Sequence, residues 1–247
     1  MKHILITGAT GFIGKNFVEK IQNSTTYSFS TCSYLANENE LREKLLNATH
    51  IVHLSGVSRS EDPTLFYTIN TEFTKKIISI LEEKKLTIPV IFTSSIHAEI
   101  NNDFGKSKQE AEKLLVEYQK STSTPVYIIR LTNTFGKLAK PNTHSVVATF
   151  CFNIQNSLPI TVNDPEKEIN LVHIDNVVAC FLDLIEKGES SALNKNNHFY
   201  LMKDYEKISI GELAQLISNF KEKTKSQAFF KENSFEEKLY LTYLSYQ

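Results

Sequence analysis

Gly8, Gly11 and Gly14 recur at intervals of three residues, between a short apolar run, Ile4-Leu5-Ile6, and a helix-like segment starting at Lys15. A strand, a turn with glycine at that spacing and then a helix make a phosphate cradle. Gly8 permits the tight turn, Gly11 lets a pyrophosphate approach the backbone, and Gly14 lets the helix pack closely on the strand. Thr7, Phe12 and Ile13 complete the cradle, with the first helical N–H groups facing the phosphates. The competing reading is a bare turn without ligand; the order of strand, spacing and helix argues against it. The second predicted strand ends in Cys32-Ser33-Tyr34-Leu35, and no carboxylate follows before Glu38. A carboxylate there would bind ribose hydroxyls and repel a 2′-phosphate, so its absence favours NADP and leaves NAD open. Ser33 could donate a hydrogen bond to that phosphate, with Lys15 and Arg59 as candidate basic partners.

Those groups need strands and helices to hold them. Apolar or β-branched runs at His3–Thr7, Tyr27–Cys32, His50–Leu54, Pro89–Thr93 and Val126–Leu131 read as strands buried on both faces. Helical patterns at Lys15–Gln22, Glu38–Leu46, Phe66–Lys84 and Gly105–Lys120 separate them. This alternation predicts an α/β, doubly wound parallel-sheet fold of the Rossmann kind, with ligands beyond the carboxyl ends of the strands. After about residue 132 the alternation breaks. Helices are expected at Ser145–Gln155, Asp175–Glu186, Gly211–Phe220 and in the tail from Ser234 to Tyr246, with short strands near Ile160–Val162 and Ile169–Val172. We read residues 1–132 as mainly dinucleotide-binding and 133–247 as mixed, mainly a small substrate lobe, within one reductase-like unit. Lys221–Lys225 reads as a solvated helix end.

The chain has 247 residues, 41% of them hydrophobic and 22% charged, which suits a globular protein with a substantial core. A net charge of −1 provides no field for nucleic acid or an anionic membrane. No run of about eighteen apolar residues and no signal peptide is present, so a cytoplasmic protein with no membrane partner is expected. Cys32, Cys151 and Cys180 lack metal or redox spacing and read as small buried hydrophobes; no metal is expected.

The segment Phe92-Thr93-Ser94-Ser95, followed by Phe104-Gly105-Lys106-Ser107-Lys108, resembles the reacting constellation of the extended short-chain dehydrogenase/reductases. That family carries a Ser or Thr at the first place and Tyr-x-x-x-Lys at the second, the last two one helical turn apart on one face. The resemblance implies that Ser95 orients the substrate oxygen and that Lys108 binds the cofactor ribose. Phe104 stands where the family has its proton-donating tyrosine, and a phenyl ring donates no proton. His97, a bound water or, less favourably placed, Asp103 could supply the proton; a surface role is the bland reading of His97. Val52-His53-Leu54-Ser55-Gly56-Val57 resembles the strand whose end, Leu54, Ser55 and Gly56, borders the cofactor. Asn70 sits where this branch has an asparagine in the next helix. Arg130-Leu131-Thr132-Asn133-Thr134-Phe135-Gly136 resembles R-x-x-N-x-[YF]-G, in which the asparagine reaches the substrate. Val172-His173-Ile174-Asp175-Asn176-Val177 resembles the later V-H-V-D-D-V segment, which implies a helix-capping role for Asp175.

Residues Lys137 to Asp164 and the ending Thr242-Tyr243-Leu244-Ser245-Tyr246 resemble the reductase domain of the CapF-type bifunctional enzymes of capsule and O-antigen synthesis. The resemblance implies NADPH-dependent reduction of the 4-keto group of a UDP-4-keto-6-deoxy-N-acetylhexosamine, with a zinc cupin following the reductase. The chain stops where that cupin would begin, so it is read as a truncated enzyme, a fragment or a stand-alone relative. Lys137 and Lys140 could neutralise the UDP diphosphate or lie in a solvated loop. A paired helical interface like that of related reductases would make a homodimer. Two functions compete: a nucleotide-sugar ketoreductase impaired at Phe104, and a non-catalytic NAD(P)-binding protein. An epimerase or dehydratase of the same branch is the weaker third.

Overall fold

The computed structural model describes residues 1–143, 145–222 and 230–247. β1 (Lys2–Thr7) leads to α1 (Phe12–Ile21), β2 (Tyr27–Cys32) to α2 (Glu38–Asn47), and β3 (His50–His53) to a long helical stretch. That stretch comprises α3 (Thr64–Phe66), a π-turn (Tyr67–Glu72) and α4 (Phe73–Glu83). β4 (Val90–Ser95), a 3-10 turn (Ile96–Glu99), α5 (Asp103–Thr122) and β5 (Val126–Leu131) follow. Then come β6 (Asn133–Phe135), α6 (Val146–Gln155), β7 (Glu168–His173), α7 (Ile174–Lys187), β8 (Leu193–Asn196) and β9 (Phe199–Met202). β10 (Glu206–Ser209), α8 (Ile210–Phe220) and α9 (Phe235–Leu244) complete the described elements. The chain divides into two compact units, Met1–Leu131 with Val178–Lys203, and Thr132–Val177 with Asp204–Gln247.

The first unit holds a seven-stranded sheet of order β2-β1-β3-β4-β5-β9-β8, parallel except for the β8–β9 pair. This is the doubly wound sheet expected from the alternation. Ile4, Leu5, Ile6, Ile51, Val52 and Phe92 are sealed from solvent, as the unbroken apolar runs require. β2 and β3 flank β1 on opposite sides, so the strand order reverses there and opens a crevice at the carboxyl ends of β1 and β3. α1 starts at Phe12 and α5 at Asp103, each earlier than the sequence periodicity suggests. Asn102 explains the second case, since its side chain accepts the Gly105 N–H at 2.8 Å and caps α5. The expected helix Phe66–Lys84 is interrupted by the π-turn, which leaves Asn70, Thr71, Phe73 and Thr74 all buried.

The second unit has a three-stranded sheet, β10-β7-β6, with α6, α8 and α9 around a core that includes Phe150, Leu213, Ile217, Phe220, Leu239 and Tyr243. Ile160–Val162 is not a strand. Both edges of β7 are taken, by β10 on one side and β6 on the other, so no ladder position beside β7 is left. Ile160 and Val162 instead pack their side chains on this core. β6, β8 and β10 carry too little apolar pattern to be read in advance, while β9, the apolar run Phe199-Tyr200-Leu201-Met202, was missed despite its composition. Of the basic patch, Lys221 donates to the Ser157 hydroxyl, while residues 223–225 lie outside the described residues. Among the described residues no helix is long and apolar enough to cross a membrane, and no group of three metal-ligating side chains forms.

Candidate active site

The β1–α1 turn has the shape its glycines predict. Gly8 adopts φ +68°, and a Cβ there would fall 2.6 Å from the main chain of Leu54 and Ser55. A Cβ at Gly14 would lie 2.2 Å from the Gly8 carbonyl oxygen, so the first turn of α1 closes directly on the loop. Gly11 is the N-cap and supplies no side-chain bond, which leaves the first N–H groups of α1 facing outward with the positive helix end. Phe12 and Ile13 are half-buried beside it. This cradle fits a pyrophosphate. Thr7 is fully buried and its hydroxyl turns inward to His53 at 2.6 Å. Ser33 is exposed at the end of β2, where its Oγ accepts the Leu35 N–H at 3.2 Å and its own O–H remains a donor. Lys15 and Arg59 are exposed.

At the carboxyl end of β3, Leu54, Ser55 and Gly56 continue the strand as a loop. Lys108, on the face of α5 expected from its spacing, is buried and donates one hydrogen bond, to the Thr93 carbonyl at 3.1 Å. Its Nζ lies 4.8 Å from the centre of the Phe92 ring. Burial pushes the Lys108 ammonium down from its ordinary value to about 8, against a smaller upward pull from Glu112. A Cβ on Gly56 would stand only 3.0 Å from Lys108 Nζ, so the loop and the ammonium meet at the one residue that leaves room. A buried ammonium with donors to spare beside a bare stretch of main chain is what a ribose diol needs.

Ser95 ends β4 half-buried, and its Oγ accepts the main-chain N–H of His97 at 3.1 Å. The His97 side chain is exposed. Phe104, on the first turn of α5, sets its ring edge-on to Phe66 with centroids 6.1 Å apart. Tyr67 reaches the neighbouring Asp103, its hydroxyl donating to Oδ1 at 3.4 Å. One turn beyond Lys108, buried Glu112 accepts from Ser94 at 2.6 Å and from two nitrogens of Arg130 at 2.9 and 2.7 Å. Arg130 also donates to Glu99 at 2.6 Å. These bonds lock α5 to the ends of β4 and β5, and with it the placement of Lys108 and Phe104. Sequence reasoning marked Ser95, Phe104 and Lys108 but missed Glu112 as their anchor.

In the second unit, Asn133 lies exposed on β6 and donates to the Asn170 carbonyl at 3.3 Å. Lys137 and Lys140 are exposed in the following loop, which turns through Leu138 at φ +67° and Asn142 at φ +58°. Asp175 does not cap α7. The helix begins one residue earlier, and it is the Nδ1 of His173 that accepts the Asp175 N–H at 3.3 Å. A ring nitrogen in front of the helix takes the role expected of the carboxylate, and the Asp175 side chain stays exposed.

Residues 4–199 match the model of the NAD dependent epimerase/dehydratase family. The chain belongs to this family. It is 36% identical over 244 residues to a UDP-2-acetamido-2,6-beta-L-arabino-hexul-4-ose reductase of Pseudomonas aeruginosa, a match covering 98% of this chain and 64% of that protein. The crystal structure of the capsular polysaccharide assembling protein CapF of Staphylococcus aureus superposes with a TM-score of 0.83 at 34% identity, over 99% of this chain and 64% of CapF. The chain therefore spans just under two thirds of the length of either protein. A Thermus thermophilus UDP-glucose 4-epimerase solved with NAD shares the fold at 16% identity, with a TM-score of 0.80 over 99% of this chain and 98% of that one.

Proposed function

We propose that this family member binds NADPH in the first unit and acts on a UDP-4-keto-6-deoxy-N-acetylhexosamine, reducing the 4-keto group, in the synthesis of capsule or O-antigen sugars. The observation that carries the reading is the buried Lys108 facing Gly56, in a chain 36% identical along nearly its whole length to a reductase of such a sugar. When bound, the dinucleotide supplies the hydride. The α1 N-terminus and the Gly8–Gly11 turn hold the pyrophosphate, Lys108 the nicotinamide ribose, and Leu54, Ser55 and Gly56 border the cofactor. Exposed Ser33 at the end of β2, with no carboxylate beside it, supports NADP over NAD. Ser95 orients the ketone oxygen, while Asn133, Lys137 and Lys140 serve the nucleotide sugar. A cytoplasmic homodimer completes the reading.

Phe104 impairs this activity. The ring meets Phe66 and brings no hydroxyl, so the proton for the new alcohol has to come from water or from His97. The same ring favours a second reading, an NAD(P)-binding protein without catalysis. Comparing the chain with its Phe104→Tyr variant for NADPH oxidation on the UDP-4-keto sugar separates the two. Under the first reading the variant gains about 10²–10⁴-fold in kcat, the usual contribution of a positioned general acid. Turnover by neither protein, with NADPH bound by both, would leave the binding-protein reading standing. Binding of neither NADPH nor NADH would sink both.

A further inference from the structure

The loop Leu54–Val57 is held from beneath by a buried polar chain whose hydrogens can be assigned one by one. Thr7, His53, Asn70 and Thr74 are all buried. Thr74 has a single hydroxyl proton, and the Asn70 carbonyl, 2.7 Å away, can only accept it. Toward His53 Nε2, at 2.9 Å, Thr74 Oγ1 is then an acceptor, so Nε2 carries a hydrogen. The neutral ring presents a bare Nδ1, to which Thr7 Oγ1 donates at 2.6 Å. Thr7 Oγ1 in turn accepts the N–H groups of Leu54 and Ser55, each at 3.2 Å, the Leu54 N–H being shared with the Thr7 carbonyl oxygen at the same distance. From the other side, Asn70 Oδ1 accepts the Val57 N–H at 2.9 Å, and its amide donates to the Val57 carbonyl and to Ser107 Oγ, each at 3.0 Å. The Ser107 hydroxyl donates to the Phe104 carbonyl at 2.8 Å. The main-chain N–H groups of Leu54, Ser55 and Val57 are thus each fixed by a side chain from β1 or from the π-turn.

The ring has no room for a second proton. A hydrogen on Nδ1 would add a donor to an oxygen that already faces the Leu54 and Ser55 N–H groups, and would take away the acceptor of the Thr7 hydroxyl proton. The rings of Phe73 and Phe92 flank the imidazole, with centroids 5.6 and 5.3 Å away. The charged group acting on it is Lys108 of α5, and that charge adds to burial in pushing His53 down to about 3.

We infer that Thr7 and His53 are positioning residues for the dinucleotide: His53, held neutral with its hydrogen on Nε2, aims the Thr7 hydroxyl, and Thr7 sets the Leu54–Gly56 main chain opposite Lys108. The inference rests on the proposed cofactor reading, in which this loop faces the ribose. Thr7 then contributes through the loop and not by touching the cofactor. The imidazole also keeps a second cation away from Lys108.

Two measurements test it. In ¹⁵N NMR of histidine-labelled protein, the signals absent from His53→Phe should be those of one protonated Nε2 and one bare Nδ1, without titration between about pH 5 and 8. A hydrogen on Nδ1, or a midpoint in the ordinary imidazole range, would overturn the proposal. In fluorescence titrations with NADPH and NADH, Thr7→Val should weaken binding about tenfold, and Thr7→Ser, which restores the hydroxyl, should recover most of it. Binding by Thr7→Val equal to that of the unaltered chain would overturn the positioning role. If Thr7→Val fails to fold, Thr74→Val removes the acceptor of Nε2–H from the far side and should weaken binding likewise; unchanged binding there counts against the proposal. If the unaltered chain binds neither dinucleotide, the cofactor reading falls and takes the positioning role with it. An altered NMR signature in a chain that does bind removes this inference alone.

Discussion

Burying the Lys108 ammonium costs the fold stability. The unfolded chain keeps the lysine proton up to about 10.5, whereas in the fold it is released near 8. The unfolded state therefore binds more protons between those values, and stability rises as pH climbs from about 8 to 10.5. Below about 8 that gain is absent, and at about 1.4 kcal/mol per unit the buried ammonium costs a few kcal/mol at neutral pH. Removing the charge while keeping the stem should then stabilise the free protein. We expect Lys108→Met to melt several degrees above the unaltered chain and to lose at least tenfold in NADPH affinity, read by thermal unfolding with and without NADPH. A variant that melts lower would show that the Thr93 bond and the Phe92 contact outweigh the desolvation. The family resemblance located Lys108, four residues past position 104, a spacing that puts both on one helix face. The aromatic at position 104 was equally plain in the sequence. Its packing on Phe66 was not, since the partner lies on a different helix.

α5 is the element through which Ser95, Phe104 and Lys108 come to share one region, and Glu112 is what holds it. This carboxylate is 2% exposed and takes three hydrogen bonds, from Ser94 and from the forked Arg130 guanidinium. Cutting it to alanine leaves Arg130, itself only 12% exposed, with its Glu99 bond alone. Glu112→Ala should cost about 3–5 kcal/mol in urea unfolding, the usual penalty for stripping one partner from a buried ion pair. Loss of under about 1 kcal/mol, the range of surface pairs, would mean that Arg130 finds another partner. The strands of the first unit were legible because burial on both faces demands unbroken apolar runs such as Ile4-Leu5-Ile6. β8 was not, because Leu193-Asn194-Lys195-Asn196 is recruited as an edge strand by its pairing with β9 rather than by composition. The π-turn was hidden for a related reason: one extra residue per turn leaves no signature in a period of 3.6. The polar chain through Thr7, His53, Thr74 and Asn70 joins β1, β3, α4 and the π-turn, so no local pattern announces it.

Among the described residues, His53 in the first unit and His173 in the second are the histidines pushed furthest down, and both lower stability in acid. Burial lowers His53 to about 3 in the first unit. In the second, burial is again the main cause and Lys238 adds to it, against an upward pull from Asp175, bringing His173 to about 4. Unfolding frees both rings to titrate near 6.5, so below that value the unfolded chain binds protons that the fold refuses. The contribution of these two rings is complete above about 6.5 and falls as the pH drops, by about 1.4 kcal/mol per unit for each ring, until each folded value is passed. His50, lowered in the same direction by burial and by Lys2, adds to the slope. Exposed acids depressed by their partners, such as Glu83 beside Arg42 at about 2, act only at lower pH and do not mask it. The urea midpoint should therefore be clearly lower at pH 5 than at pH 7. His53→Phe keeps a ring between Phe73 and Phe92 while removing the titrating group, so its midpoint should change less over the same interval, whatever its absolute stability. Equal slopes in the two proteins would mean that His53 accepts a proton in the fold, against the hydrogen-bond order around it.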